Sequence, residues 1–153
     1  MIYCIDTSSL LTGWIEHYPP EVFPGLWKHF EELIKIGTVI APEEVYFELE
    51  KQDDSIKIWV DYNKKMFQPL DDELQNIAKG ILAKYPTLID LDRPTYQADP
   101  FVIALAIKRN ATVVTQETWT NSPYRTKIPN VCASYNIECI NLLKMLRNLK
   151  VEF

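Results

Sequence analysis

Three apolar runs, each of four or five residues, constrain this chain more than any other feature: residues 2–5 (IYCI), 38–41 (TVIA) and 111–115 (ATVVT). None alternates polar with apolar, as a strand facing water on one side would, so each suits a strand buried on both faces. Helical signals separate them. Asp6 closes the first run, and Thr7, Ser8 and Ser9 are fit to start a helix carrying Leu10, Leu11 and Trp14. Residues 24–35 place Leu26, Trp27, Phe30, Leu33 and Ile34 at helical spacing, and Gly37 ends them. Pro42 stands at the first position of a third helix, with Glu43 and Glu44 in its first turn, where the helix dipole favours acids. Strand–helix–strand repetition of this kind predicts a parallel sheet with helices on both faces.

The remaining elements follow from the same signals. A helix is expected over 54–65, with Ile56, Trp59, Val60 and Asn63 in period. Asp71 or Asp72 caps another through Leu82 to about Tyr85, where Pro86 stops it. Residues 87–98 read as loop. Asp99 then stands at a cap position and Pro100 at the first helical position of a helix that is apolar nearly all round until Lys108. Residues 116–130 form a polar loop, 131–135 a short turn, 138–140 a last strand, and Asn141 caps the closing helix. No repeat or linker divides the chain, so residues 1–153 are expected to form a single domain.

Composition narrows the function classes. The formal charge is −5, from 16 basic and 21 acidic residues, which argues against a tight, non-specific nucleic-acid binder. A nuclease with basic residues beside its site remains open. Cys4, Cys132 and Cys139 make an odd count without a CxxC pair, and read as structural thiols in a reducing cytosol. No apolar run approaches the roughly 18 residues of a membrane span, and Asp6 falls too early for a signal peptide. The expectation is a soluble cytoplasmic protein with no membrane partner.

In open α/β folds, ligands bind beyond the carboxyl ends of the strands. Asp6 ends the first strand, Glu117 follows the third by two residues, and Asp99 opens the apolar helix. Glu48 lies a turn into the helix after the second strand and reaches toward them. Glu44 stands four residues earlier on the same side. Grouped carboxylates repel and raise one another's pKa unless a cation neutralises them. Hard oxygen donors of this sort suit Mg or Mn. Each acid also has a plainer role: Asp6 and Asp99 as helix caps, Glu48 and Glu44 as solvated helix residues, Glu117 as a loop acid. Ser8 and Thr115 are fit to bind water or phosphate, or simply to cap and turn. Trp119 and Tyr124 are candidates for base stacking, and Arg125 and Lys127, with Lys108 and Arg109, for phosphate contact.

These residues stand in a familiar order. The opening YCIDTSSLL resembles the first-strand motif of the PIN-like superfamily, with Asp6 as its first acid. VIAPEEVYFELEK resembles the second motif, with Glu48 before Leu49, and QADPFVIALAIKRNATVVTQE the third and fourth, with Asp99 and Glu117. With KIPNVCASYNIECINLLKML and the helix around Trp59, the chain is similar to the narrower family called domain of unknown function 4411. One departure stands out: many relatives carry threonine, one residue, then aspartate at the fourth motif, where Thr115, Gln116 and Glu117 supply a glutamate.

The resemblance implies a three-layer α/β/α PIN-like domain around a central, mainly parallel sheet of about four strands. It implies a Mg- or Mn-dependent ribonuclease cutting RNA phosphodiester bonds by water attack with inversion. Asp6 and Asp99 are the main direct ligands in that reading, and Glu48 and Glu117 complete the shell. Many small prokaryotic relatives are toxins of toxin–antitoxin pairs, so an antitoxin protein and a homodimer are the partners it implies. Two alternatives stand beside it. One is a catalytically weak PIN-like protein-binding or regulatory module, favoured by the negative charge and Glu117. The other is a metal-dependent DNA nuclease, disfavoured by the lack of a DNA-gripping insertion.

Overall fold

The computed structural model describes residues 1–93 and 96–152. Its sheet contains β1 (Tyr3–Ile5), β2 (Val39–Pro42), β3 (Phe67–Gln68), β4 (Thr112–Val114) and β5 (Cys139–Ile140). Their order is β3-β2-β1-β4-β5, and every pairing is parallel. The three sequence-legible runs are therefore the three central strands. The sheet has five strands rather than about four. Two residues of β3 carry no periodicity of their own and become a strand only by pairing with Ala41 and Pro42.

Around the sheet lie α1 (Thr7–Thr12), α2 (Pro24–Lys35), α3 (Glu43–Glu50), α4 (Asp54–Asp61), α5 (Asp72–Lys84), α6 (Asp99–Arg109), α7 (Ile128–Ser134) and α8 (Leu142–Asn148). Four of them start on side-chain caps. Asp6 accepts from the Ser9 N–H, Asp53 from Ile56, Asp71 from Leu74 and Asn141 from Lys144. Each cap satisfies a backbone donor that the first turn leaves without a partner, a contribution of about 1 kcal/mol.

Three starts and stops differ from expectation. Pro42 is the last residue of β2 and the N-cap of α3, not its first helical residue, because its backbone stays extended (φ −71°, ψ 155°). Asp99 lies within the first turn of α6, and Ala98 is the N-cap, so the Asp99 carboxyl does not cap the helix. The helix expected to reach Lys65 stops at Asp61: the Asn63 Nδ2 donates to the Trp59 carbonyl (2.8 Å), and a 3-10 turn, Lys64–Met66, leads into β3.

α6 is the central helix that its composition suggested. Val102, Ile103, Ala104, Leu105 and Ala106 are all buried, and the helix packs on β1, β2, β4 and α5. Burying each large aliphatic side chain contributes about 1.5–3 kcal/mol. A second part of the core joins Trp14, Trp27, Phe30 and Trp59, whose ring centroids lie 4.9–6.4 Å apart. Their indole N–H groups are all satisfied, by Ser55, the Tyr18 carbonyl and Glu31. Among the described residues, no helix is long and apolar enough to cross a membrane.

Candidate active site

The sheet order places a topological switch at β1, where the chain passes outward on one side to β2 and on the other to β4. The carboxyl ends of β1 and β4 lie side by side there, and the crevice outside such a switch point is where open parallel sheets hold ligands. Asp6 leaves β1 into this crevice and is only 2% exposed. Its Oδ1 accepts from the Ser9 N–H (2.8 Å) and its Oδ2 from the Thr115 hydroxyl (2.5 Å). The Ser8 hydroxyl also bonds it (2.8 Å). Burial pushes the Asp6 carboxyl up to about 6, against the hydrogen bonds from Thr115, Ser9 and Ser8, which favour the charged form.

Ser8 and Thr115 tie the two strand ends together. The Gln116 N–H donates to Ser8 Oγ (3.1 Å), and the Glu117 N–H to Thr115 Oγ1 (3.0 Å). The loop after β4 is thereby fixed against the start of α1. Its side chains also set the next two helices: Glu117 Oε1 accepts from the Ile128 N–H at the head of α7 (3.1 Å), and Gln116 Oε1 from the Leu142 N–H at the head of α8 (3.0 Å). Nothing in the sequence marks Gln116 for this role, because a lone loop amide carries no spacing signal.

Glu48 comes from α3, the helix after β2. Its Oε1 accepts from the Ala98 N–H (2.5 Å), which fixes the backbone immediately before Asp99. Burial raises its pKa above the ordinary value and the Asp6 charge adds to that. The Ala98 N–H, the nearby Thr7 hydroxyl and the Arg93 guanidinium oppose it. The Thr7 hydroxyl sits close enough to influence Glu48 without closing a hydrogen bond of normal geometry. Arg93 is the basic residue that the sequence reading passed over, since its loop has no periodicity to orient it.

Asp99 is where the four acids meet electrostatically. Burial, then the charges of Glu117, Asp6 and Glu48, push its carboxyl up to about 8, with a hydrogen bond to Glu117 acting in the same sense. Glu44 stands apart. It is buried with Oε2 unpartnered, and burial and its neighbour Glu43, rather than Asp6 or Asp99, raise its pKa. Glu48 is therefore the α3 carboxylate that faces the group. As the side chains lie, no three His, Cys, Asp or Glu groups among the described residues close on one point as a finished metal cage. Backbone N–H groups hold one oxygen each of Glu48 and Glu117, and hydroxyls hold Asp6.

Residues 3–153 match the family described as Domain of unknown function (DUF4411). The chain belongs to that family. Its fold is PIN-like. Two solved structures share the DUF4411 chain's fold at 15% identity. One is VapBC2 from Rickettsia felis bound to a DNA fragment from their promoter, with a TM-score of 0.51, covering 92% of this chain and 98% of that one. The other is FitAcB from Neisseria gonorrhoeae, with a TM-score of 0.54, covering 92% and 97%. No curated protein matches the chain.

The basic and aromatic candidates distribute unevenly around the DUF4411 site. Arg125 and Tyr124 line a cleft with Thr87, Ile89 and Asp90, which begin the loop that leads to Asp99. Lys127 is the N-cap residue of α7, one residue before the N–H that Glu117 accepts. Trp119 is largely exposed, its indole bonded to Asn121 within the same loop. Lys108 lies at the far end of α6, paired with Asp71 (2.6 Å) and Glu73 (3.4 Å), and so is removed from the carboxylates. All three cysteines are free, and Cys132 and Cys139 lie side by side, each shifting the other's titration.

Proposed function

We propose that this protein is a divalent-metal-dependent endoribonuclease that hydrolyses RNA phosphodiester bonds and acts as the toxin of a toxin–antitoxin pair. The observation that carries the reading is the Asp99 carboxyl, pressed at once by Glu117, Asp6 and Glu48 at the switch point of the sheet. Negative charge concentrated at one place, from oxygen donors only, fits Mg or Mn. Asp6 and Asp99 are the direct ligands in this reading, with Glu48 and Glu117 completing the shell. The ion supplies charge neutralisation at the scissile phosphate and a water acidic enough to attack it at neutral pH.

The chain's own residues do the rest. Ser8 and Thr115 orient the Asp6 carboxylate so that it stays ionised despite its burial. The Ala98 N–H fixes Glu48, and the Ile128 N–H fixes Glu117, so neither long side chain swings freely. Arg93, already close enough to stabilise the Glu48 charge, is placed to meet a phosphate. Arg125 and Lys127 supply further positive charge from the loop after β4, which also carries Glu117. The fold shared with the VapBC2 and FitAcB chains supports the toxin–antitoxin part of the reading, and an antitoxin protein and a second copy of this chain are the partners to seek.

A cleavage assay on single-stranded RNA with Mn²⁺ tests it. Activity is expected in the wild type and is expected to fall at least a hundredfold, about 3 kcal/mol of barrier, in Asp99→Asn and Asp6→Asn. Equal turnover in the folded variants rejects this site. The second reading, a binding module with little chemistry, gains support from the net charge of −5 and from the glutamate at position 117. It expects no metal-dependent turnover and a stable complex with a protein partner.

A further inference from the structure

α3 and its surroundings carry a row of aromatic rings that the carboxylate chemistry leaves without a role. Phe67 lies 5.4 Å from Tyr46 between ring centroids, Tyr46 lies 5.7 Å from Phe47, and Phe47 stacks on Tyr96 at 4.8 Å and 26°. Tyr46, Phe47 and Phe67 are half-buried and Tyr96 is 47% exposed. With Glu43, Lys64 and Pro69, the first three line an open cleft of about 240 Å³. The Glu43 carboxylate there is engaged, accepting from the Leu70 N–H (3.1 Å).

Two lysines accompany the row. The Lys64 ammonium stands 5.6 Å from the centre of the Tyr46 ring and Lys51 stands 5.1 Å from that of Tyr96. Lys57 and Lys108 sit on carboxylates. Lys51 and Lys64, by contrast, have no ion pair within 4 Å among the described residues. On a chain of net charge −5 these are cations held over flat rings, with Lys64 also within reach of the charge of Asp61, whose carboxylate accepts from the Tyr46 hydroxyl (2.7 Å).

We infer that this aromatic–lysine row is a subsite for the unpaired bases of single-stranded RNA, leading the strand to the carboxylates. The inference rests on the nuclease reading for its destination, though not for its binding. Phe47 precedes Glu48 in α3, and Tyr96 lies two residues before Ala98, whose N–H holds Glu48. One end of the row therefore sits on the two backbone segments that carry Glu48 and Asp99. Bases stack on exposed rings regardless of sequence, while lysines beside the rings meet the phosphates. A duplex offers neither free base faces nor the same path. A protein segment is the rival occupant, but the lysines held over Tyr46 and Tyr96 fit a polyanion.

The test titrates fluorescent single-stranded RNA of about twelve nucleotides against the protein in chelator, so that no strand is cut. Tyr96→Ala and Tyr46→Ala are each expected to weaken binding by about five- to hundredfold, with Tyr96→Phe close to wild type. Lys51→Gln should flatten the slope of log affinity against log salt by about 0.7. Duplex RNA of the same sequence should bind Tyr96→Ala and wild type alike. Circular dichroism confirms that the variants are folded. Unchanged strand affinity in both alanine variants overturns the subsite and assigns the row to a protein partner. So does an equal loss for duplex, or a wild type that binds no strand. Cleavage with Mn²⁺ is scored separately. A strand bound through Tyr96 and left uncut overturns the nuclease reading alone. A strand cut by Tyr96→Ala at the wild-type rate below saturation overturns the subsite alone.

Discussion

Asp99 and Asp6 are both aspartates at element boundaries, yet the structure treats them differently. Asp6 sits in a ring of donors, whereas Asp99 faces other acids. The pH dependence of stability follows. Burial and neighbouring charge raise Asp99 to about 8 in the folded chain, from 3.8. Between those values the folded chain holds a proton that the unfolded chain has lost, so stability falls as pH rises through that window. Asp6, raised to about 6, adds to the fall over the lower part. Urea unfolding in chelator is therefore expected to show greater stability at pH 5 than at pH 8, with Asp99→Asn reducing the difference. Asp6→Ala removes a helix cap and strands the Thr115 and Ser8 hydroxyls. Its expected cost is about 1–3 kcal/mol by the same measurement, whereas Asp6→Asn keeps part of the cap.

At the scale of elements, the chain makes close joints where its helices meet. α1 runs into a π-helical turn, Gly13–His17, and Gly13 lies under α8. A Cβ there would stand 2.8 Å from Leu142 Cδ2 and 3.5 Å from the Trp27 ring, and both neighbours are buried. Gly13→Val is expected to destabilise the fold by about 1–3 kcal/mol, seen as a lower urea midpoint with unchanged slope. In α6, Ile103 is fully buried among the strands, and Ile103→Ala is expected to cost about 2–5 kcal/mol. α2 was legible from its residues alone, since Pro24, five apolar side chains in period and Gly37 all agree. β3 was not, because its two residues owe their conformation to a neighbour 26 residues earlier in the chain, through the Ala41–Phe67 register.

For the whole molecule, the net charge and the carboxylate group set the response to cations. Mg²⁺ or Mn²⁺ bound to the folded state alone raises Tm, by an amount that grows with the logarithm of one plus the ion concentration over its Kd. The shift is expected in wild type and is expected to be smaller in Asp99→Asn, as read by thermal unfolding at neutral pH. Equal shifts in both proteins would place the ion elsewhere. Because four acids from four parts of the chain share the crevice, this response belongs to the assembled fold and to no single helix.

From residue order alone came the three central strands, the helices between them, the Asx caps at Asp6 and Asn141, a cap at Asp71 or Asp72, and the candidacy of Asp6, Glu48, Asp99 and Glu117. Those features depend on local periodicity and on backbone donors within three residues of a cap, which a linear reading contains. Tertiary structure alone decided that Glu48, not Glu44, faces Asp6, that Asp99 is released from capping, and that Thr115 grips a carboxylate 109 residues away. Helical spacing puts Glu44 and Glu48 on the same side of α3 but says nothing about what lies opposite. Electrostatic proximity depends on strand order and helix docking, which many distant contacts fix together.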